Sequence, residues 1–224
     1  MRIKLKKLLN LIKSGKLVRK FIYRFHRIRV RSIAGHRNKI LNDGIFINVK
    51  YDIIGNDNKI IVEKDAYVAD TTFHLRGDHH EIFIGSECKY YGGSIWLEDS
   101  DCKISIGEKT TVMDAHFCAQ EKNSIIRIGK DFMLSNNIII RTSDSHSIID
   151  NNTRQRINPA QNIDIGDHVW IGAWARILKG AIIGNNSVIA TGSIVTSKIG
   201  SNCIAAGIPA KVVKENVDWD REKL

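Results

Sequence analysis

From Ile163 onward the apolar positions recur every six residues. Ile165, Ile171, Ile177, Ile183 and Ile189 each open a hexad. A glycine or other small residue often follows, and a small or β-branched residue tends to stand fifth. A helix would repeat every 3.6 residues and a half-buried strand every two, so neither accounts for this pattern. A short strict period is the mark of a solenoid, and a six-residue one points to a parallel β-helix. Each hexad then supplies one short strand and one corner. Three hexads close a triangular coil of eighteen residues, with the leading aliphatic side chain directed into the core. The small residue is expected to ease the corner, because glycine tolerates positive φ.

Upstream the same beat is looser. Ile54-Gly55, Ile84-Gly85, Ile106-Gly107 and Ile128-Gly129 mark it. The last two intervals are 22 residues, which suggests an eighteen-residue coil with a four-residue excursion at one corner. The longer interval from Gly55 to Gly85 predicts a larger loop at residues 71–81. Residues 144–162 are polar and break the period, forming the longest excursion near the regular repeats. Ahead of the solenoid, Leu5, Leu8, Leu9 and Ile12, then Leu17, Phe21, Ile22, Phe25 and Ile28, form two apolar stripes at helical spacing. The expected organisation is a basic α-helical arm over 1–43, an all-β solenoid over 44–214 and a short charged tail over 215–224.

Three stretches carry a family resemblance. They are the Ser-Asp-Ser-His run ending at His146, the Ile-Gly-Asp-His-Val-Trp-Ile-Gly run ending at Gly172, and the Ala-Gly-Ile-Pro-Ala-Lys run ending at Lys211. Together with the tandem hexads they resemble the hexapeptide-repeat acyltransferases, in the branch of maltose, galactoside, serine and capsule-polysaccharide O-acetyltransferases. The resemblance implies a left-handed parallel β-helix, a homotrimer with active sites between neighbouring subunits, and transfer of acetyl from acetyl-CoA to a sugar or glycan hydroxyl.

Its site residues map onto this chain as follows. His146 matches the general base, a role that suits an imidazole titrating near neutrality. Asp144, two residues earlier, would share a strand face with it and could orient the ring; it could equally close its own turn. Trp170 matches a wall of the catalytic pocket, with flank packing as the alternative. The backbone N–H of Ala173 matches the oxyanion donor. Gly172, Ala190, Thr191 and Thr196 match positions along the pantetheine arm of the coenzyme, and Lys198, Lys211 and Lys214 its phosphates. Ser197 stands where the family usually has a lysine, which leaves Lys198 to substitute for it. Asp114, His116, Arg141 and Arg156 are the acceptor-binding candidates.

Composition changes this picture in two places. The formal net charge is +10, yet the first 39 residues hold fourteen Lys or Arg and no acid. The other twenty basic residues are outnumbered by 24 acidic ones, which argues against a nucleic-acid-binding body. The arm reads either as a cap over the first coil or as a peripheral contact with anionic lipid. No apolar run approaches the ~20 residues of a membrane span and no signal peptide is apparent, so a cytoplasmic protein is expected, with the inner face of the membrane as the arm's site of contact. The four cysteines, Cys88, Cys102, Cys118 and Cys203, form no Cys-x-x-Cys pair and read as reduced core residues. A competing class is the gamma carbonic anhydrases, which share the fold. His74 and His79 have one of that class's ligand spacings, but a third ligand is missing, so no metal is expected. A serine-like small acceptor is the other alternative.

Overall fold

The computed structural model describes residues 29–224, and the two arm stripes lie outside them. Twenty-five strands wind into three sheets, two of eight strands and one of nine. Successive strands step from the first sheet to the second, then the third, then back to the first. Every pairing is parallel except the last, where Ala210–Glu215 folds back antiparallel on Cys203–Gly207. This is the expected left-handed β-helix, matched by the solved structures described below.

Burial explains the coil. Ile82, Ile104, Ile126 and Ile163 occupy one register position in successive second-sheet strands, and all are inaccessible to solvent or nearly so. Ile84, Ile106, Ile128, Ile165 and Ile183 form the next such column. Each buried isoleucine contributes about 1.5–3 kcal/mol. A column keeps the register, because a slip by one residue would turn it outward. At the wide end Phe46, Tyr51 and Phe73 fill the interior, with the Tyr51 and Phe73 rings stacked 5.7 Å apart.

The strands begin at Arg29, ahead of the expected boundary at Gly44. No loop occurs at residues 71–81: Thr71–Asp78 is a first-sheet strand and Glu81–Ile84 a second-sheet strand. The reason is that Ile54-Gly55 and Ile84-Gly85 turn different corners. Ile54 ends a first-sheet strand and is exposed, whereas Ile84 ends a second-sheet strand and is buried. The early coils do step by 22 residues, Lys50 pairing with Thr72 and Thr71 with Gly93. Their extra residues form no excursion. They lengthen the first-sheet strands, eight residues in Gly93–Ser100 against two in Arg176–Ile177. Past the polar insertion, which takes one step to 37 residues, coils step by 18 and the last by 16 in the second and third sheets.

The corners also depart from expectation. Many left-handed positions are held by short polar or charged residues; Asp131, His168, Asn186 and Asn202 form one such file along the corner between the second and third sheets. Gly55, after Ile54, does take the expected positive φ, 135°, but at Gly107 and Gly172 the glycine serves close approach instead. A Cβ on Gly107 would lie 2.5 Å from the Gly129 carbonyl oxygen, and one on Gly172 would lie 2.6 Å from the Thr191 nitrogen.

Candidate active site

The insertion at 142–162 leaves the corner between the first and second sheets, where the first-sheet strands shorten. It is folded, not loose. Ile149 bridges Arg156, and Asp150 caps the tip by accepting from the Asn152 and Thr153 amides. Its base grips the preceding coil through Glu121. Arg156 donates to both carboxylate oxygens at 2.7 and 2.6 Å, Ser143 donates at 2.6 Å, and the Ala160 amide donates at 3.3 Å. The Arg156 guanidinium holds the Glu121 carboxyl down at about 2, with help from Ser143 and Ala160 and against the effect of burial.

Asn158 sits nearly buried at the centre of the insertion. Its amide nitrogen donates to the His146 carbonyl at 2.8 Å and to Asp144 Oδ2 at 2.9 Å. Its amide oxygen accepts from the Ile148 amide at 2.7 Å and from Arg156 Nε at 3.2 Å. One side chain therefore ties the His146 carbonyl, the Ile148 amide and the Asp144 carboxylate together. The imidazole itself is exposed and has no hydrogen-bond partner among the described residues.

Asp144 does not orient that ring. Ser145 has φ 67°, so the segment is not extended and the shared strand face is lost. Asp144 instead accepts from Lys179 Nζ at 2.6 Å as well as from Asn158. These two donors, Lys179 first, hold its carboxyl below the usual carboxylate range. Arg156 is likewise a buttress, engaged by Glu121 and Asn158 and not open to an acceptor.

Beside the insertion, the outward face of the first sheet forms a pocket of about 330 Å³. Alternate residues of its strands point outward, so Ser94 and Trp96, His116 and Cys118, and Ile139 and Arg141 meet across successive coils. Arg141 Nη2 donates to Ser145 Oγ at 2.6 Å, while its buried Nε has no partner among the described residues. Ser145 Oγ also bonds Gln120, which donates to Glu98. His116 Nδ1 lies 2.9 Å from Ser94 Oγ, and its Nε2 lies 4.0 Å from Asp114. Of the acceptor candidates, His116 and Arg141 line this pocket and Asp114 stands behind His116. Cys118 lines it too, so it is not a core residue as expected; the other three cysteines are buried, and all four are free thiols.

The remaining candidates divide between corners. Thr196 and Lys198 follow the first-sheet strand Ile194–Val195, on the same corner as His146. Gly172, Ala173, Ala190 and Thr191 follow third-sheet strands where the chain turns back to the first, and Trp170 starts one of those strands and faces outward. Lys211 and Lys214 are exposed on the antiparallel strand at that sheet's end. The Ala173 and Thr191 amides donate no hydrogen bond among the described residues, whereas the neighbouring Gly172 and Ala190 amides pair with the next coil. Trp170 is 38% exposed. A sheet face of five or six residues, roughly 15–20 Å, separates the corner of His146 from that of Ala173 within one chain.

His74 and His79, the alternative metal ligands, diverge. His74 Nδ1 lies 2.8 Å from Asp52 on the first sheet, and His79 turns a corner between Asp57 and Asp101. Among the described residues no cluster of three or more His, Cys, Asp or Glu could hold a metal ion. Sequence reasoning missed Glu121, Asn158 and Lys179. An Asn-Pro pair inside the insertion is the one local signal for Asn158; nothing local marks the other two.

Residues 162–197 match the family model described as bacterial transferase hexapeptide (six repeats). The chain is 36% identical over 171 residues to a polysialic acid O-acetyltransferase of Neisseria meningitidis, covering 76% of this chain and 79% of that protein. The crystal structure of the polySia-specific acetyltransferase NeuO superposes with TM-score 0.81 at 34% identity, covering 87% of this chain and 83% of that one. The polysialic acid O-acetyltransferase OatWY superposes with TM-score 0.80 at 30% identity, covering 86% and 93%.

Proposed function

The chain belongs to the hexapeptide-repeat O-acetyltransferases, and on that footing we propose that it moves acetyl from acetyl-CoA to a hydroxyl of an acidic glycan, with His146 as general base. The observation that carries this reading is the fixed His146 segment beside a pocket lined by Arg141, His116 and Trp96. A guanidinium suits a sugar carboxylate, an indole face suits a pyranose ring, and the substrate named for the relatives, polysialic acid, is of this kind.

The His146 imidazole takes the hydroxyl proton as the oxygen attacks the thioester carbonyl carbon. The tetrahedral oxyanion accepts from the Ala173 amide, a donor that needs no reorganisation. Collapse breaks the C–S bond, and the imidazolium returns the proton to the departing thiolate. The open Ala173 and Thr191 amides fit the amide-rich pantetheine arm, and Lys211 and Lys214 fit its phosphates. His146 and Ala173 lie on different corners, so the complete site needs two chains; a cyclic trimer supplies it by setting one corner of each chain against another corner of its neighbour. The three exposed isoleucines of the insertion, Ile148, Ile149 and Ile157, suit that contact.

The test is acetyl transfer from labelled acetyl-CoA to a sialic acid oligomer and to its carboxyl-reduced, neutral counterpart. Incorporation into the acidic oligomer alone is expected, and equal labelling of both would remove Arg141 from recognition.

A further inference from the structure

The last residues of the chain return to the solenoid and close on the corner next to Trp170. The Trp219 ring stacks on the His168 imidazole, centroids 4.1 Å apart and planes within 8°. Two reciprocal bonds fix the pair: Trp219 Nε1 donates to the His168 carbonyl at 2.8 Å, and His168 Nε2 faces the Trp219 carbonyl at 2.9 Å. His168 Nδ1 lies 2.6 Å from Asp131 Oδ2. A carboxylate and a carbonyl both only accept, so the geometry suits a proton on each ring nitrogen; burial opposes the charge, but the Trp219 carbonyl and the Asp131 carboxylate raise the His168 pKa above its ordinary value. Arg221 locks the other side. It donates to Asp131 Oδ1 at 3.0 Å, to Thr111 Oγ1 at 3.1 Å and to the Phe132 carbonyl at 3.1 Å, and its guanidinium carbon lies 5.6 Å from the Trp219 ring centre. Asp218 is the remaining charged neighbour, 3.4 Å from His168 Nε2.

The bonded tail also reaches Trp170, two residues after His168 and facing out of the third sheet. Its ring centroid lies 6.2 Å from that of Trp219, with planes at 50°. Trp219 thus stands as a wall against Trp170, and the tail limits the positions open to that indole.

We infer that Trp219, clamped by His168 and Arg221, is a positioning residue that sets Trp170 for acetyl-CoA, so that the C-terminal tail tunes donor binding. This rests on the functional reading above. Loss of one aromatic contact changes binding by about two- to tenfold.

The experiment compares wild type, Trp219→Ala, Trp219→Phe, Trp170→Ala and the double alanine variant. It measures coenzyme A binding by calorimetry, the KM for acetyl-CoA and for the acceptor, and the melting temperature. Trp219→Ala is expected to raise the KM for acetyl-CoA and weaken coenzyme A binding by that factor, with the acceptor KM unchanged. Trp219→Phe should recover most of the loss, and the double variant should bind no worse than Trp170→Ala, the non-additivity expected of a residue acting through its neighbour. A Trp219→Ala protein that melts lower but binds coenzyme A as wild type does would make the tail a structural buttress and overturn the inference. Additive losses in the double variant would overturn it as well. If wild type itself bound no coenzyme A, the functional reading would fail on its own evidence and take the inference with it.

Discussion

Asn158→Ala is the substitution that separates the His146 segment from everything else. The side chain makes four hydrogen bonds, at 2.7, 2.8, 2.9 and 3.2 Å, two of them to backbone, at the Ile148 amide and the His146 carbonyl. Each is worth about 0.5–1.5 kcal/mol net. Water entering the space the amide vacates replaces some of them, which leaves a loss of about 2–3 kcal/mol. The insertion does not come free, because the Arg156–Glu121 and Lys179–Asp144 pairs remain. The energy lost is energy that aligned the base, so kcat should fall roughly 10- to 100-fold at 1.4 kcal/mol per decade. The Ala173 and Thr191 amides proposed for the coenzyme lie on another corner, so the KM for acetyl-CoA should hold. Initial rates of acetyl transfer against both substrates measure this, with thermal melting as a check on folding. Wild-type kcat in a folded Asn158→Ala protein would refute the reasoning, and so would a loss confined to the KM for acetyl-CoA.

Two further outcomes follow from the geometry. Glu121 has its pKa lowered in the fold to about 2, so its contribution is complete above the ordinary Glu range near 4.3 and is lost as pH falls toward 2. Hydrogen exchange, corrected for intrinsic rate, should find the 142–162 insertion deprotected across that window before the core columns open; Glu121→Gln should leave it deprotected at neutral pH, and an insertion equally protected in both proteins would deny Glu121 this role. Gly107→Ala forces a Cβ against the backbone of the next coil, whereas Gly200→Ala meets nothing within 4 Å. The first should cost about 1–3 kcal/mol and lower Tm by several degrees, while the second should be close to neutral; equal melting of the two would contradict the close-approach account.

The solenoid was legible because its order is local. Each inward isoleucine meets the same position one coil away, so the packing repeats in the sequence at the interval of the coil. Where two corners carry similar Ile-Gly signals, as at Gly55 and Gly85, interval counting fails, since the sequence does not say which corner a glycine turns. The proposed base, His146, came from the likeness of the Ser-Asp-Ser-His run to the family's. Its support was not legible. Asn158 reaches back 12 residues to the His146 carbonyl, Lys179 reaches 35 to Asp144, and Arg156 reaches 35 to Glu121. These pairs join an insertion to a periodic body and share no period with it. Trp219 was missed for the same reason: a lone indole in a charged tail gives no pattern, and its meaning comes from His168 and Trp170, which the coil brings within its reach.

The proposed site is assembled from two chains, with His146 from one and the Ala173 amide from another. Co-expression of His146→Ala with Ala173→Pro, which removes that N–H, tests it directly. Each variant alone should be nearly inactive. In randomly mixed trimers about one site in four joins an intact His146 to an intact Ala173, so the mixture should recover about a quarter of wild-type acetyl transfer. A mixture no more active than its components, or a wild-type protein that sediments as a fully active monomer, would contradict the account.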